Sequence, residues 1–444
     1  MNAFLATAGL AAIHLISAQA ADHLVGSVKE FDKAVGIAKP GDTISLREGK
    51  WTDADLVVAA NGTADEPVTI RARLPGKTVL TGRTRLRFAG DHLVVTGLLF
   101  QGAWHQEDLV TFRRDSKKPA NDCRLSQCAL IDCNAPQSKE TRWIGLYGQR
   151  NRVDHCLIQG KTSKGTTLVV WLDGRPTDHR IDHNHFGPRT ELGQNGGETI
   201  RIGDSKMSMQ LCRALVEANC FERCDGEAEI ISNKSCGNIY RGNTFRRCAG
   251  SLTLRHGNDC LVEGNFFFGE NARETGGVRI IGERHRVTGN YFQDLQGTGT
   301  RAGLCLVNGM KNSPLNGYFQ VRGAEINGNS WVNCKQPIWI GQTDEGSDNT
   351  LPVQGVTMSR NLIFGRHPAV TIGLPGEVVW KENLLNPEAN PKPEIPGLNP
   401  VDFTLEGDPL QLPPVNSPAA GYGFTPAKGS QGPLRPSQVG PEWR

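Results

Sequence analysis

Between residues 98 and 383 one short pattern keeps returning. It consists of a β-branched residue, two mostly polar residues, an asparagine, any residue, and then an aromatic or aliphatic side chain. Instances are Ile181-Asp-His-Asn184-His-Phe186, Val216-Glu-Ala-Asn219-Cys-Phe221, Tyr240-Arg-Gly-Asn243-Thr-Phe245 and Val262-Glu-Gly-Asn265-Phe-Phe267. Val287-Thr-Gly-Asn290-Tyr-Phe292, Ile326-Asn-Gly-Asn329-Ser-Trp331, Met358-Ser-Arg-Asn361-Leu-Ile363 and Asn383 continue it, and Leu98, Cys128 and Cys156 fill the asparagine position earlier. Successive steps are 30, 28, 28, 35, 24, 22, 25, 39, 32 and 22 residues. A turn residue runs in phase at Gly148, Gly174, Gly203, Asn233, Gly257, Gly282, Gly309 and Gly341, each after a short apolar run. Short strands, variable insertions and no amphipathic helix within the repeat predict an all-β fold, a right-handed parallel β-helix. Stacked asparagines would satisfy backbone groups that a buried turn leaves unpaired. A leucine-rich repeat would need leucine at fixed spacing, and a propeller would need antiparallel hairpins with a period nearer forty.

The N-terminal part follows a different pattern. Ser27-Val-Lys-Glu30 is a capping box, and Val28, Phe31, Ala34, Val35 and Ala38 follow with helical periodicity. Pro40-Gly-Asp42 stops this helix and Thr43–Leu46 reads as a strand. A short helix placed here would cap the open apolar end of the coil stack. Before it, the apolar run Ala3–Ile16 and Ala18-Gln-Ala20 read as an export signal over residues 1–20, so a periplasmic or secreted protein is expected. The β-helix is expected over residues 21–384. Residues 385–444 carry 13 of the 25 prolines and are expected to pack on the last coils, with an irregular end from Gly423.

Composition changes this picture little. A net charge of +3 is too small to imply nucleic acid, and no later stretch is long and apolar enough for a transmembrane helix. The 52 glycines suit a chain with many tight turns. The cysteines obey the repeat: Cys133, Cys224, Cys248 and Cys334 lie five residues after the ladder position, and Cys236 and Cys260 lie three after a turn residue. They read as stacked core thiols, although vertical oxidised pairs remain open. No CxxC pair suggests zinc.

Residues 195–282 carry the candidate chemistry. Glu227 and Glu229, two apart, would share one face of a strand, and Asn195 one coil earlier adds an amide oxygen. Such hard oxygen donors suit Ca²⁺, though a solvated pair facing a lysine fits the spacing equally. Lys234 follows the turn residue of its coil, and Arg201 and Arg255 each lie two residues before theirs. Arg279 falls one residue out of phase and needs a bulge to point the same way. Four cations over four coils would line a groove for a linear polyanion.

In these motifs the chain resembles polysaccharide lyase family six, the chondroitinase B-like alginate and dermatan sulfate lyases. The resemblance rests on Pro40-Gly-Asp-Thr-Ile-Ser-Leu46, Asn61-Gly-Thr with Pro67-Val-Thr-Ile70, Asn195-Gly-Gly-Glu-Thr-Ile-Arg-Ile-Gly203, Glu227-Ala-Glu229 with Lys234, and Leu254-Arg-His-Gly257. It implies that Asn195, Glu227 and Glu229 bind Ca²⁺, that Lys234 is the catalytic base and Arg255 the acid or leaving-group stabiliser, and that Arg201, His256 and Arg279 serve the substrate. The implied reaction is β-elimination on alginate, giving a 4,5-unsaturated uronate. Dermatan sulfate is the rival polymer. A non-catalytic carbohydrate-binding β-helix would not need Lys234 and Arg255. A β-helical hydrolase using Glu227 and Glu229 would have both acids on one strand, poorly placed to flank a bond.

Overall fold

The computed structural model describes residues 20–136, 139–342, 346–389, 394–426 and 432–444. The expected export signal lies, apart from Ala20, outside the described residues. Each coil delivers three strands in turn, for example Ile239–Arg241, Thr244–Arg246 and Ser251–His256. Strands of successive coils pair in parallel, building three sheets of 14, 14 and 12 strands along one axis. This is the expected right-handed parallel β-helix. In each sheet one side of every strand points inward, as in the column Ile200, Ile231, Leu252, Val278, Leu304 and Ile338 of the third sheet.

The repeat is explained at the corner between the first two strands. The residue before each ladder asparagine takes a left-handed conformation, with φ of 59°, 60° and 59° at Gly242, Gly264 and Gly289. Glycine adopts that region without the steric cost other residues meet. The asparagine then turns inward and is fully buried. The Nδ2 of Asn219, Asn243, Asn265 and Asn290 donates to the Oδ1 of the next ladder asparagine at 3.0, 2.9, 2.9 and 2.9 Å. The same oxygens accept the backbone N–H of the preceding rung, as from Asn243 to Asn265 at 2.9 Å. Two residues on, Phe186, Phe221, Phe245, Phe267, Phe292 and Trp331 form one continuous stack, with centroids 4.6–5.3 Å apart. Each stacked pair adds about 0.5–1.5 kcal/mol beyond area burial.

The helix Val28–Ile37 buries Phe31, Ala34 and Val35 against the first coils. Its start is capped as expected: the Glu30 N–H donates to Ser27 Oγ at 3.2 Å, while the Glu30 carboxylate accepts the Gly26 N–H at 2.7 Å. Cys133, Cys224, Cys248, Cys260 and Cys334 are free, buried thiols, and Cys236 is free and half-buried. Burial pushes Cys133, Cys260 and Cys334 up to about 12, which keeps them protonated.

Two local expectations need correction. Asn233 is no turn residue: it sits inside the strand Glu229–Lys234, where its Oδ1 accepts from Asn238 Nδ2 and Tyr240 Oη at 2.6 and 2.8 Å. The tail needs only a partial correction: Phe403 and Ala419 pack against Leu362 and Leu384 of the last coils as expected, but the chain goes further. Leu398–Pro400 adds a further rung to the second sheet, and the chain then turns back along the earlier coils. Phe424 N–H donates to Ser330 Oγ, Leu434 N–H to Thr244 Oγ1, Gly440 N–H to the His183 carbonyl, and Trp443 Nε1 to the Gln127 carbonyl, at 2.7–2.9 Å. Prolines deny this segment a full ladder, so it fastens at separate points.

Candidate functional site

On the outer face of the third sheet lies a cleft of about 640 Å³. Asn195, Glu227, Glu229, Lys234, Arg255, His256 and Arg279 all line it. They come from one loop, three neighbouring strands and the bend before one of them.

The strands here break the regular register. Ser232 pairs with Thr253 and Asn233 with Leu254, but Lys234 pairs with His256, leaving Arg255 as the extra residue of a bulge. A second slip leaves Ile230 extra between Glu229 and Ile231. Bulges re-aim side chains, and here they turn Arg255 into the cleft beside Lys234. The register therefore corrects the sequence-based columns. Arg279 pairs with Thr253, and Arg201 with Ser232, so those two arginines share one column. The bulge that phase-counting assigns to Arg279 belongs to Arg255. Arg201 stands outside the cleft lining, its guanidinium 5.2 Å from the Trp171 ring centroid. Glu227 is also not on a strand with Glu229. It sits in the bend before it, and both still reach the same cleft.

The acidic side is compact. Glu227 Oε2 accepts the Gly196 and Gly197 N–H groups at 2.8 and 3.2 Å. Burial, the Glu198 charge and the Glu229 charge together push Glu227 up to about 7. Glu229 accepts from Ser232 Oγ and from Arg279 Nη2, the latter at 2.9 Å. Arg279 is thus engaged with Glu229. No group of three or more His, Cys, Asp or Glu side chains able to hold a metal occurs among the described residues. The expected set instead has two carboxylates and one amide. Its chemistry fits Ca²⁺: all donors are hard oxygens, and Glu227 sits in a negative potential that a cation would relieve.

On the basic side, Arg255 Nη1 donates to the Gly317 carbonyl at 2.8 Å and its guanidinium lies 4.1 Å from the Tyr318 ring centroid. Burial lowers its pKa from the ordinary arginine value. His256 is buried between Arg255 and Ser205, 3.4 Å from each. Burial, then Arg255 and Lys234, lower it to about 3, so it is a neutral imidazole at neutral pH.

Several cleft residues carry no signal in the sequence. Tyr318, Asn316 and Arg301 come from the long 294–325 insertion. Arg189 looks like ordinary surface charge, yet it is buried and donates to the carbonyls of Glu198, Gly165 and Gly196 at 2.7, 2.9 and 3.4 Å. It thereby holds the loop whose amides meet Glu227.

The chain is thus a right-handed parallel β-helix that gathers two carboxylates, a lysine and a bulged arginine in one lateral cleft. A family model described as Chondroitinase B matches residues 25–383, and the chain belongs to that family, polysaccharide lyase family six. Among solved structures, the family-six alginate lyase AlyGC is 37% identical, with a TM-score of 0.91 over 95% of this chain and 59% of that one. The chain thus spans about three fifths of the length of that enzyme. A mannuronic acid specific family-six lyase from human gut microbiota is 33% identical, with a TM-score of 0.80 over 86% of this chain and 91% of that one. A family-six polysaccharide lyase from Pseudopedobacter saltans, 24% identical with a TM-score of 0.79 over 95% and 99%, shares the fold. No curated protein matches the chain.

Proposed function

We propose that the protein is an exported alginate lyase that cleaves 1,4-linked uronate chains by calcium-assisted β-elimination. The observation that carries this reading is the convergence of Lys234, Arg255 and the Asn195–Glu227–Glu229 set in one cleft. Two relatives above 30% identity, named for alginate or mannuronic acid, support the polymer.

The C5 proton of a uronate is weakly acidic, and its removal builds negative charge on the adjacent carboxylate. Asn195, Glu227 and Glu229 would hold Ca²⁺, which when bound supplies positive charge against that carboxylate. Lys234 Nζ takes the C5 proton. This role needs neighbouring positive charge to favour a neutral amine. The C4–O4 bond breaks as the C4–C5 double bond forms, the leaving O4 takes a proton from solvent water, and Lys234 afterwards returns the C5 proton to solvent. Arg255, held by the Gly317 carbonyl and the Tyr318 ring, stabilises the leaving oxygen through its N–H groups. His256, neutral and buried behind Arg255, fixes the guanidinium and is no resting proton donor. No water is added.

The test is near-ultraviolet absorbance as purified protein acts on alginate, with dermatan sulfate in parallel. A rise on alginate that chelator abolishes and added Ca²⁺ restores is expected. A rise on dermatan sulfate alone would keep the chemistry and replace the polymer. No rise on either polymer in the presence of Ca²⁺ would sink the lyase reading.

A further inference from the structure

Away from the cleft, a small cavity of about 10 Å³ is walled in part by Trp143, Lys161, Thr167, Arg189 and Thr199. It has room for one water-sized or monatomic species and for no polyatomic ion. Two of these walls are buried cations. Lys161 is 1% exposed, and its Nζ donates to the Thr141 carbonyl at 2.9 Å and to Ser163 Oγ at 2.8 Å. Arg189 is 3% exposed and donates to Thr167 Oγ1 at 2.8 Å besides the loop carbonyls. Neither forms an ion pair with a carboxylate among the described residues.

Glu198 comes nearest to that role. It is buried, accepts from Thr166 Oγ1 at 3.2 Å, and meets Arg189 only through its backbone carbonyl. Its charge favours the Arg189 cation, so it offsets one positive charge of the pair and leaves the other unbalanced. Burial and then Arg189 push Lys161 down to about 6, the response of an ammonium without a counter-ion. Three more polar atoms of the same wall are buried and unpartnered: Trp143 Nε1, Arg189 Nε and Thr199 Oγ1. The two nitrogens can only donate, and the hydroxyl can donate. Water in this cavity would find few acceptors for its own protons, and a metal cation would meet positive charge. A small anion answers the donors and the charge together.

We propose that Lys161, Arg189, Trp143 and Thr199 form a buried site for one monatomic halide, of which chloride is the abundant form. The halide is the counter-ion that Lys161 lacks. Beside Arg189 it also steadies the guanidinium that ties the Gly165, Gly196 and Glu198 carbonyls, and with them the loop whose amides meet Glu227. The site touches no substrate, so it stands apart from the lyase reading and is tested without polymer.

The wild type is crystallised with bromide as its only halide, and diffraction is recorded at the bromine absorption edge. An anomalous peak between Lys161 and Arg189 is expected. Density there without anomalous signal marks a water and overturns the site, as do bromide peaks on the surface alone. Melting temperatures are read in parallel in chloride and in gluconate, an anion too large for the cavity, at equal ionic strength. The chloride-minus-gluconate difference is expected to be about 1–3 °C more positive for the wild type than for Lys161→Met, which needs no counter-ion. Equal differences in the two proteins overturn the counter-ion role. Trp143→Phe removes one donor and keeps both cations, so a reduced chloride difference in that variant carries the test if Lys161→Met does not fold.

Discussion

The asparagine corner and the bulged face of the third sheet are built from the same coils in opposite ways. At the corner every rung repeats the one before it: a left-handed residue, a buried asparagine, a ring two residues on. On the third sheet, the rungs Glu229–Lys234 and Ser251–His256 each carry one residue too many. Repetition makes the corner strong, since every amide finds its partner in the next coil. Broken repetition makes the cleft, since only a slipped register places Arg255 beside Lys234. Stability and chemistry are thus assigned to different edges of one coil.

If that division holds, the two edges respond to different variants. Lys234→Ala is expected to lower kcat about 10²–10⁴-fold, the usual range for a lost general base, with the melting temperature nearly unchanged. Absorbance assays beside thermal melts check this, and a large loss of stability would break the comparison. Asn265→Ala attacks the opposite edge. It strips partners from Asn243 Nδ2, the Asn243 N–H, the Tyr240 carbonyl and Asn290 Oδ1. A cost of about 2–4 kcal/mol is expected in denaturant titrations, because buried groups lose their hydrogen bonds.

A third variant sharpens the boundary between the edges. Glu227 is raised on folding from 4.5 to about 7, so the folded chain holds that proton more tightly. Its stabilising contribution is complete below the unfolded value and is lost as pH rises through the folded one. In calcium-free buffer the melting temperature of the wild type should therefore fall between pH 5 and 8 more steeply than that of Glu227→Gln, whose neutral amide carries no such term. Parallel slopes would remove the acidic strain from the cleft. The smallest effect is expected for Phe245→Leu, which keeps apolar volume but interrupts the ring stack, at about 1 kcal/mol in the same titrations.

The sequence makes these two edges unequally legible. Ladder asparagines and rings recur at a readable period because each satisfies the same need in each coil. The acid and cation motifs are legible as a set, and the cleft gathers all of them but Arg201. Their directions are not. A bulge adds one residue with no compositional mark, so Arg279 looks displaced when Arg255 is the residue that slips. Glu227 and Glu229 suggest one strand face by spacing, whereas a bend supplies one of them. Tyr318 meets Arg255 across 63 positions of chain, and Arg189 acts through backbone carbonyls, which no side-chain motif encodes.

The returning tail has a mechanical meaning. Stacked coils touch only their neighbours, so such an array loosens one unit at a time from either end, like a zipper. Here Phe424, Leu434, Gly440 and Trp443 are tied to Ser330, Thr244, His183 and Gln127, points spread over most of the stack. A coil in the middle cannot open without slackening a cord shared with distant coils. The array is converted from a zipper into a laced structure, whose units yield together or not at all.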